Sequence, residues 1–281
     1  MWSKTDHPQG AARGGGVDIL MYHSISGGGG ATNIAVEVFA AQMEVLAASD
    51  VPVISLDDLV AARSGGPPVP SRSVIITFDD AFDDFARSAF PVLERLGLSA
   101  TVFVPTGRVG ASETWAGASD PPRRLMDWRT IRDLAGHGIC FGAHTVTHPD
   151  LMALPLADQK RELVQSKATL EDHLGRAVDH FAPPYGRASA ETRRAIAAHF
   201  KSSCGTRLDR AGAESDLMDL PRLEMFYYQS PARFAAYLRG RGQGYLRWRQ
   251  TLRGLRSAMV KPWAQGQGSL TARPQSGAPE A

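Results

Sequence analysis

Two adjacent carboxylates, Asp79 and Asp80, close the apolar run Ser73-Val74-Ile75-Ile76-Thr77-Phe78, and two imidazoles, His144 and His148, follow a second apolar run. A β-branched run ending in two acids reads as a buried strand delivering charge to its C-terminal edge, where open and barrel-shaped α/β folds keep their chemistry. One carboxylate with two imidazoles is a three-ligand set for a divalent ion. The second carboxylate, if not itself a ligand, stands where it can take a proton from water at that ion, a layout suited to hydrolysis. Histidines four apart can aim at one ion from a single turn, and Pro149 keeps that turn short by disfavouring helix at His148. Singly, each feature has a plainer meaning. His-x-x-x-His arises by chance on surface helices, and Asp79, Asp80, Asp83 and Asp84 could merely complement a helix N-terminus. The conjunction carries the reading.

Such residues need a scaffold to bring them together. From Val17 onward, short apolar runs alternate with amphipathic stretches, the pattern of repeated βα units around a mostly parallel sheet. Strands are expected over 17–22, 51–54, 74–78, 100–104, 139–143, 180–182, 202–205 and 220–225, about the number that closes a barrel. Helices are expected over 38–48, over 84–96 with Gly97 as the stop, and over 128–135, 156–174 and 190–199. Ser55 and Asp58 form a capping box that opens another helix, running through Arg63. The long loop 106–122, rich in Gly, Ser and Pro, is expected to lie over the site.

Length and composition set the remaining bounds. The 281 residues with 43% hydrophobic content suit one large domain, and a formal charge of +2 argues against wholesale nucleic-acid binding. Cys140 and Cys204 form no disulfide framework and match no cysteine-rich zinc spacing, so a reducing compartment is expected. The start is polar, without the apolar core of a signal peptide, and no run approaches the ~18 apolar residues of a membrane span. A cytoplasmic protein, peripheral to the inner membrane at most, is the expectation. The division is a flexible N-terminal tail over 1–16, a barrel over 17–238, a basic amphipathic helix over 239–263 and a disordered tail over 264–281. Between 244 and 263, Tyr245, Trp248, Leu252 and Leu255 interleave with Arg247, Arg249, Arg253 and Arg256. That segment either contacts an anionic membrane surface or packs on the barrel with its arginines solvated.

Three segments carry a family resemblance. Thr77-Phe78-Asp79-Asp80, His144-Thr145-Val146-Thr147-His148 and Phe181-Ala182-Pro183-Pro184-Tyr185-Gly186 resemble, in order and spacing, the first three motifs of the polysaccharide deacetylase superfamily, the nodulation-type chitooligosaccharide deacetylase domain of carbohydrate esterase family 4. Ile19-Leu20-Met21-Tyr22-His23-Ser24, Ala100-Thr101-Val102-Phe103-Val104 and Leu220-Pro221-Arg222 support it. The resemblance covers roughly 17–238. It implies an α/β fold, a distorted (β/α) barrel of about seven mostly parallel strands in a single domain, and hydrolysis of an N-acetyl group. Carried over by position, Asp80, His144 and His148 would bind a divalent metal, commonly zinc, with cobalt, nickel or manganese as alternatives. Asp79 would be the general base, and the backbone N–H of Tyr185 would stabilise the oxyanion. Ala81 stands where the first motif usually ends in glycine. Ala182 replaces an arginine that normally orients the base, as in a branch of the family that lacks it, and Arg222 is the expected substitute cation. The usual late Leu-x-His motif is missing. In the branch acting on poly-N-acetylglucosamine a histidine at the end of the first strand protonates the leaving amine, and His23 stands there. Trp115 and Trp128 could stack on sugar rings or anchor loops.

The expected activity is metal-dependent N-deacetylation of an amino sugar in a cell-surface polysaccharide or its precursor, within exopolysaccharide biosynthesis, with acetate as the second product. The partner is an N-acetylated glycan, not a nucleic acid. Two rivals stand beside it. One is deformylation or another non-peptide C–N hydrolysis on a lipid-linked sugar. The other is an inactive glycan-binding barrel, motivated by Ala182 and the missing late histidine.

Overall fold

The computed structural model describes residues 16–30 and 32–264, and its frame is seven parallel strands. They are β1 Gly16–Tyr22, β2 Arg72–Phe78, β3 Thr101–Val104, β4 Cys140–Ala143, β5 His180–Phe181, β6 Ser202–Leu208 and β7 Leu220–Glu224. They follow one another around a closed barrel, with β7 returning to β1 through Leu20–Leu223 and Met21–Glu224. The barrel is distorted where β5 contributes two residues and where the β6–β7 register shifts between Cys204 and Leu208. In β1 and β2 every residue after the first is buried, the continuous run required of strands covered on both faces.

Alternation along the strands decides what points where. Leu20 and Tyr22 of β1, and Val74, Ile76 and Phe78 of β2, pack outward against the helices. Ile19, Ile75, Phe103 and Leu220 form a second cluster that fills the barrel. By the same period, His23, Asp79 and Arg222 stand on the inward face at or near the C-terminal strand ends.

The surrounding helices are α1 Val36–Ala47, α2 Leu56–Arg63, α3 Phe90–Leu96, α4 Trp128–Gly136, α5 Leu156–Leu174, α6 Ala190–Ala197, α7 Pro231–Leu238 and α8 Gln243–Ala264. The Ser55–Asp58 capping box opens α2, Asp127 caps α4, and Ser189 caps α6. Gly97 and Gly175 end α3 and α5 in the left-handed conformation, at φ 64° and 65°. Leu246 anchors α8 in the core, where Tyr245 donates to the Tyr227 carbonyl at 2.9 Å and Arg249 lies 3.8 Å over the Tyr227 ring. Trp248, Leu252 and Leu255 of α8 are exposed.

Several expectations are corrected. The 51–54 segment is not a barrel strand. It forms one bridge, Val53 to Val74, along the part of β2 that β3 leaves open, and Pro52 supplies no N–H to extend the pairing. The 84–96 helix is divided into a π-turn over Phe85–Ala89 and α3, with Pro91 at the junction removing an intrahelical donor. Gly16 belongs to β1 rather than to the N-terminal tail, and α8 begins at Gln243 after a turn. The remainder of the expected tails, 1–15 and 265–281, lies outside the described residues. Among the described residues no helix is long and apolar enough to cross a membrane.

Candidate metal centre

Asp79 is the first residue beyond β2 and keeps that strand's inward direction, where it meets Arg222 of β7. The guanidinium grips it with two parallel bonds, Nη1 to Oδ1 and Nη2 to Oδ2, each 2.7 Å. Arg222 is fully buried, and its other donors reach the Gly205 carbonyl at 2.8 Å and Thr77 Oγ1 at 3.2 Å. Burial alone would raise the Asp79 carboxyl; the Arg222 charge, with His144 and His23 further off, outweighs it and holds the group below the ordinary carboxylate range. His23 Nε2 stands 3.9 Å from Asp79 Oδ2.

Asp80 turns away from its neighbour. Its φ of 72° and the φ of 54° at Ala81 bend the chain through the left-handed region, so the two carboxylates leave the strand end in different directions. Asp80 Oδ1 comes within 3.4 Å of His144 Nε2 and 3.1 Å of His148 Nε2. Yet this oxygen is buried and lacks a hydrogen bond of acceptable geometry. Three donor atoms lying within 4.8 Å of one another, one of them orphaned, fit a shared cation better than they fit each other. His144 Nδ1 is 2.6 Å from the Ala182 carbonyl and donates to it, so Nε2 is the nitrogen that faces Asp80; burial works to lower the His144 imidazole, but Asp80 and Asp79 outweigh it and raise it. Burial pushes the Asp80 carboxyl up, and the two imidazoles more than reverse this, holding it well below the usual carboxylate range. Burial pushes His148 down, favouring the neutral form that ligates.

The turns that carry these residues are strained. The described non-glycine residues with positive φ are Asp80, Ala81, Thr145, His148 and Tyr185, and all of them belong to the three motif segments. Ala81 explains the glycine usual at its position, since a residue at φ 54° would be more relaxed without a Cβ. The His144–His148 turn is secured by Thr145 Oγ1, which accepts from His148 N at 3.1 Å, and by Glu162 of α5. Glu162 takes the N–H groups of Val146 and Thr147 at 2.6 and 2.9 Å and the Thr147 hydroxyl at 2.8 Å. Sequence reading did not single out Glu162, because nothing in its surroundings marks it apart from other acids on an amphipathic helix.

Tyr185 sits at φ 59° in the Pro-Pro-Tyr-Gly turn. Its ring and the Trp115 indole, from the 106–122 loop, flank His148: Trp115 stacks on it at 4.1 Å, and Tyr185 meets it edge-on at 5.1 Å. These three side chains line an open pocket of about 600 Å³. Trp128 is elsewhere, stacked on His173 at 3.8 Å across α4 and α5, and anchors helices. His180 is taken up by Ser202 and Asp57, at 2.9 and 3.1 Å.

Residues 66–200 match a family model described as polysaccharide deacetylase. YxkH of Bacillus subtilis (strain 168), an inferred polysaccharide deacetylase, is 26% identical over 238 residues, which are 84% of this chain and 79% of that protein. Streptococcus pyogenes deacetylase PplD, solved in complex with acetate, aligns with a TM-score of 0.65 at 26% identity, over 74% of this chain and 91% of its own. IcaB from Ammonifex degensii aligns with a TM-score of 0.66 at 25% identity, over 79% of this chain and 97% of its own.

Proposed function

The chain belongs to the polysaccharide deacetylase family, and from that premise we propose that it hydrolyses the N-acetyl group of an amino sugar in a cell-surface polysaccharide or its precursor, releasing acetate. The carrying observation is the convergence of Asp80, His144 and His148 beside an ionised Asp79 that Arg222 holds in place. Asp80 Oδ1, His144 Nε2 and His148 Nε2 would hold the ion, with zinc preferred for this donor set and cobalt, nickel or manganese as alternatives. When bound, it polarises the acetamide carbonyl and lowers the pKa of water.

The chain's own residues supply the rest. Asp79 accepts the proton of the attacking water, and the Arg222 fork fixes the direction of its lone pairs. Arg222 thereby does from the barrel wall what an arginine at position 182 would do from the turn. The Tyr185 N–H stabilises the oxyanion, a contribution of roughly 3–4 kcal/mol where one such donor has been deleted in other enzymes. His23, within reach of Asp79, delivers a proton to the departing amine. Trp115 and Tyr185 offer aromatic faces to the sugar rings. The Arg222–Asp79 pair and the place of His23 both weigh against the inactive-barrel reading, which rested on Ala182 and the missing late histidine.

The test is acetate release from N-acetylglucosamine oligomers by the zinc- or cobalt-loaded chain, beside Asp79→Asn and His144→Ala with metal content measured for each. Both variants should lose activity by at least about a hundredfold, with metal retained in the first and lost in the second. A loaded wild type that releases formate but no acetate from an acyl-sugar panel would move the assignment to deformylation, and silence on every substrate would end it. The setting we propose is cytoplasmic, at a precursor near the inner membrane. The exposed Trp248, Leu252 and Leu255 among arginines favour contact of α8 with an anionic bilayer. Co-sedimentation with anionic liposomes should weaken in Trp248→Ser, and no binding at low salt would remove this part.

A further inference from the structure

A second pocket, of about 620 Å³, opens on the far side of the Tyr185–Gly186 turn from the aromatic one. Tyr185 lines the first pocket and Gly186 the second, so a single turn is the wall between them. That wall is firmly seated. Gly186 has a φ of 66°, a Cβ there would strike the Thr206 side chain, and Thr206 Oγ1 donates to the Tyr185 carbonyl at 3.5 Å. Adjacent residues of one turn thus border both the pocket beside His148 and the second pocket.

Guanidinium groups converge on this space from separate elements: Arg193 from α6, Arg207 from β6 and Arg253 from α8. Arg193 and Arg207 each meet one carboxylate, Asp219 and Asp209, by single contacts of 3.3 Å, longer than the 2.7–2.9 Å of tight charge-assisted bonds. No carboxylate among the described residues pairs with Arg253 within 4.0 Å. Arg193 Nε and Arg253 Nη1 are buried and make no hydrogen bond. Three guanidinium groups against two carboxylates line the pocket, and the buried Glu224 lies close enough to Arg253 for that charge to act on its carboxyl. An incoming oxyanion would meet the accessible guanidinium N–H groups of Arg193 and Arg207, each of which has a single long carboxylate contact. The volume exceeds what a lone phosphate requires and accommodates a charged sugar unit.

We propose that the Arg193–Arg207–Arg253 pocket is a subsite for an oxyanion carried by the glycan, either a phosphate or a uronate carboxylate. The proposal rests on the glycan reading above and deepens it: the substrate is an anionic or phosphate-linked amino-sugar polymer rather than a neutral one.

Titration calorimetry on the full chain with N-acetylglucosamine, N-acetylglucosamine 1-phosphate and glucuronic acid tests it. At least one charged sugar should bind about tenfold more tightly than the neutral sugar, with the advantage shrinking as salt is raised. The tighter of the two identifies phosphate or carboxylate as the source. Arg253→Gln and Arg207→Gln should each cut the charged-to-neutral preference several-fold. Arg207 is exposed, so its replacement leaves the fold intact and keeps the test valid even if Arg253→Gln folds poorly. Equal binding of the three sugars, or an undiminished preference in both variants, overturns the subsite. Binding is read without turnover, so the two readings fail separately. A chain that prefers charged sugars but releases no acetate overturns the deacetylase assignment alone, and the converse overturns the subsite alone.

Discussion

Replacing Arg222 by methionine would strand the Asp79 carboxylate inside the barrel. The pair is joined by two bonds of 2.7 Å, with Arg222 fully buried and Asp79 only 4% exposed. Breaking a buried pair from one side costs roughly 3–5 kcal/mol, because the remaining charge must be buried unpaired or neutralised by a proton. At roughly 2–4 °C per kcal/mol for a domain of this size, the melting temperature should fall by about 10 °C. Removing both partners, as Asp79→Leu with Arg222→Met, leaves no orphan. The double variant should lie within about 2 kcal/mol of the wild type and be more stable than Arg222→Met alone. Arg222→Lys separates fold from chemistry: it keeps a cation but loses the fork, so stability should largely survive while acetate release falls by about a hundredfold. Urea denaturation of the wild type, both single variants and the double gives the coupling energy directly. A loss below about 1 kcal/mol in Arg222→Met, or strict additivity in the double, would refute this account.

Glu113 offers a pH test on a carboxylate outside the proposed ligand set. Burial works to raise its carboxyl, but Arg123 and Ser119 bring it down to about 2, below an unfolded value near 4.5. Its contribution is therefore fully present above pH 4.5 and disappears as pH falls toward 2. Glu113→Gln should be less stable than the wild type by about 3 kcal/mol at pH 7, with urea midpoints converging in acid; a gap that ignores pH would count against it. Ala81→Gly should be neutral or stabilising by up to about 1 kcal/mol, whereas Ala81→Val at the same positive φ should lower the melting temperature, and a stabilising valine would contradict the backbone assignment. Trp115→Ala should raise KM for an oligosaccharide by about tenfold with a smaller change in kcat, and the reverse split would place Trp115 in the chemistry instead.

Much of the frame was legible because its signals are local. The buried runs that became β1 and β2 read as strands from their β-branched content, and Gly97, Gly175 and the Ser55–Asp58 box marked helix ends within a residue. The twin aspartates and the spaced histidines stood out as a ligand set before any fold was assumed. Arg222 was different. It lies 143 positions from Asp79, their meeting depends on closure between the first strands and the last, and in the sequence only the family pattern's missing arginine at 182 points to it. The left-handed turns at Thr145 and His148 carry no glycine to announce them. Glu162, Arg193 and Arg207 were not marked for a related reason: their placement comes from orientation across elements, and exposed or amphipathic segments elsewhere use the same residue types.

The counter-ion of Asp79 comes from a barrel strand rather than from the Pro-Pro-Tyr-Gly turn. Aim and recognition are thereby assigned to separate parts of the chain. On the proposed mechanism, drift in the Pro-Pro-Tyr-Gly turn would remodel which sugars are admitted without detuning the proton acceptor, whereas a slip in the sheet's closing seam would disable turnover for every substrate alike. Diversification among descendants of this protein should accordingly concentrate at the rim and spare the seam.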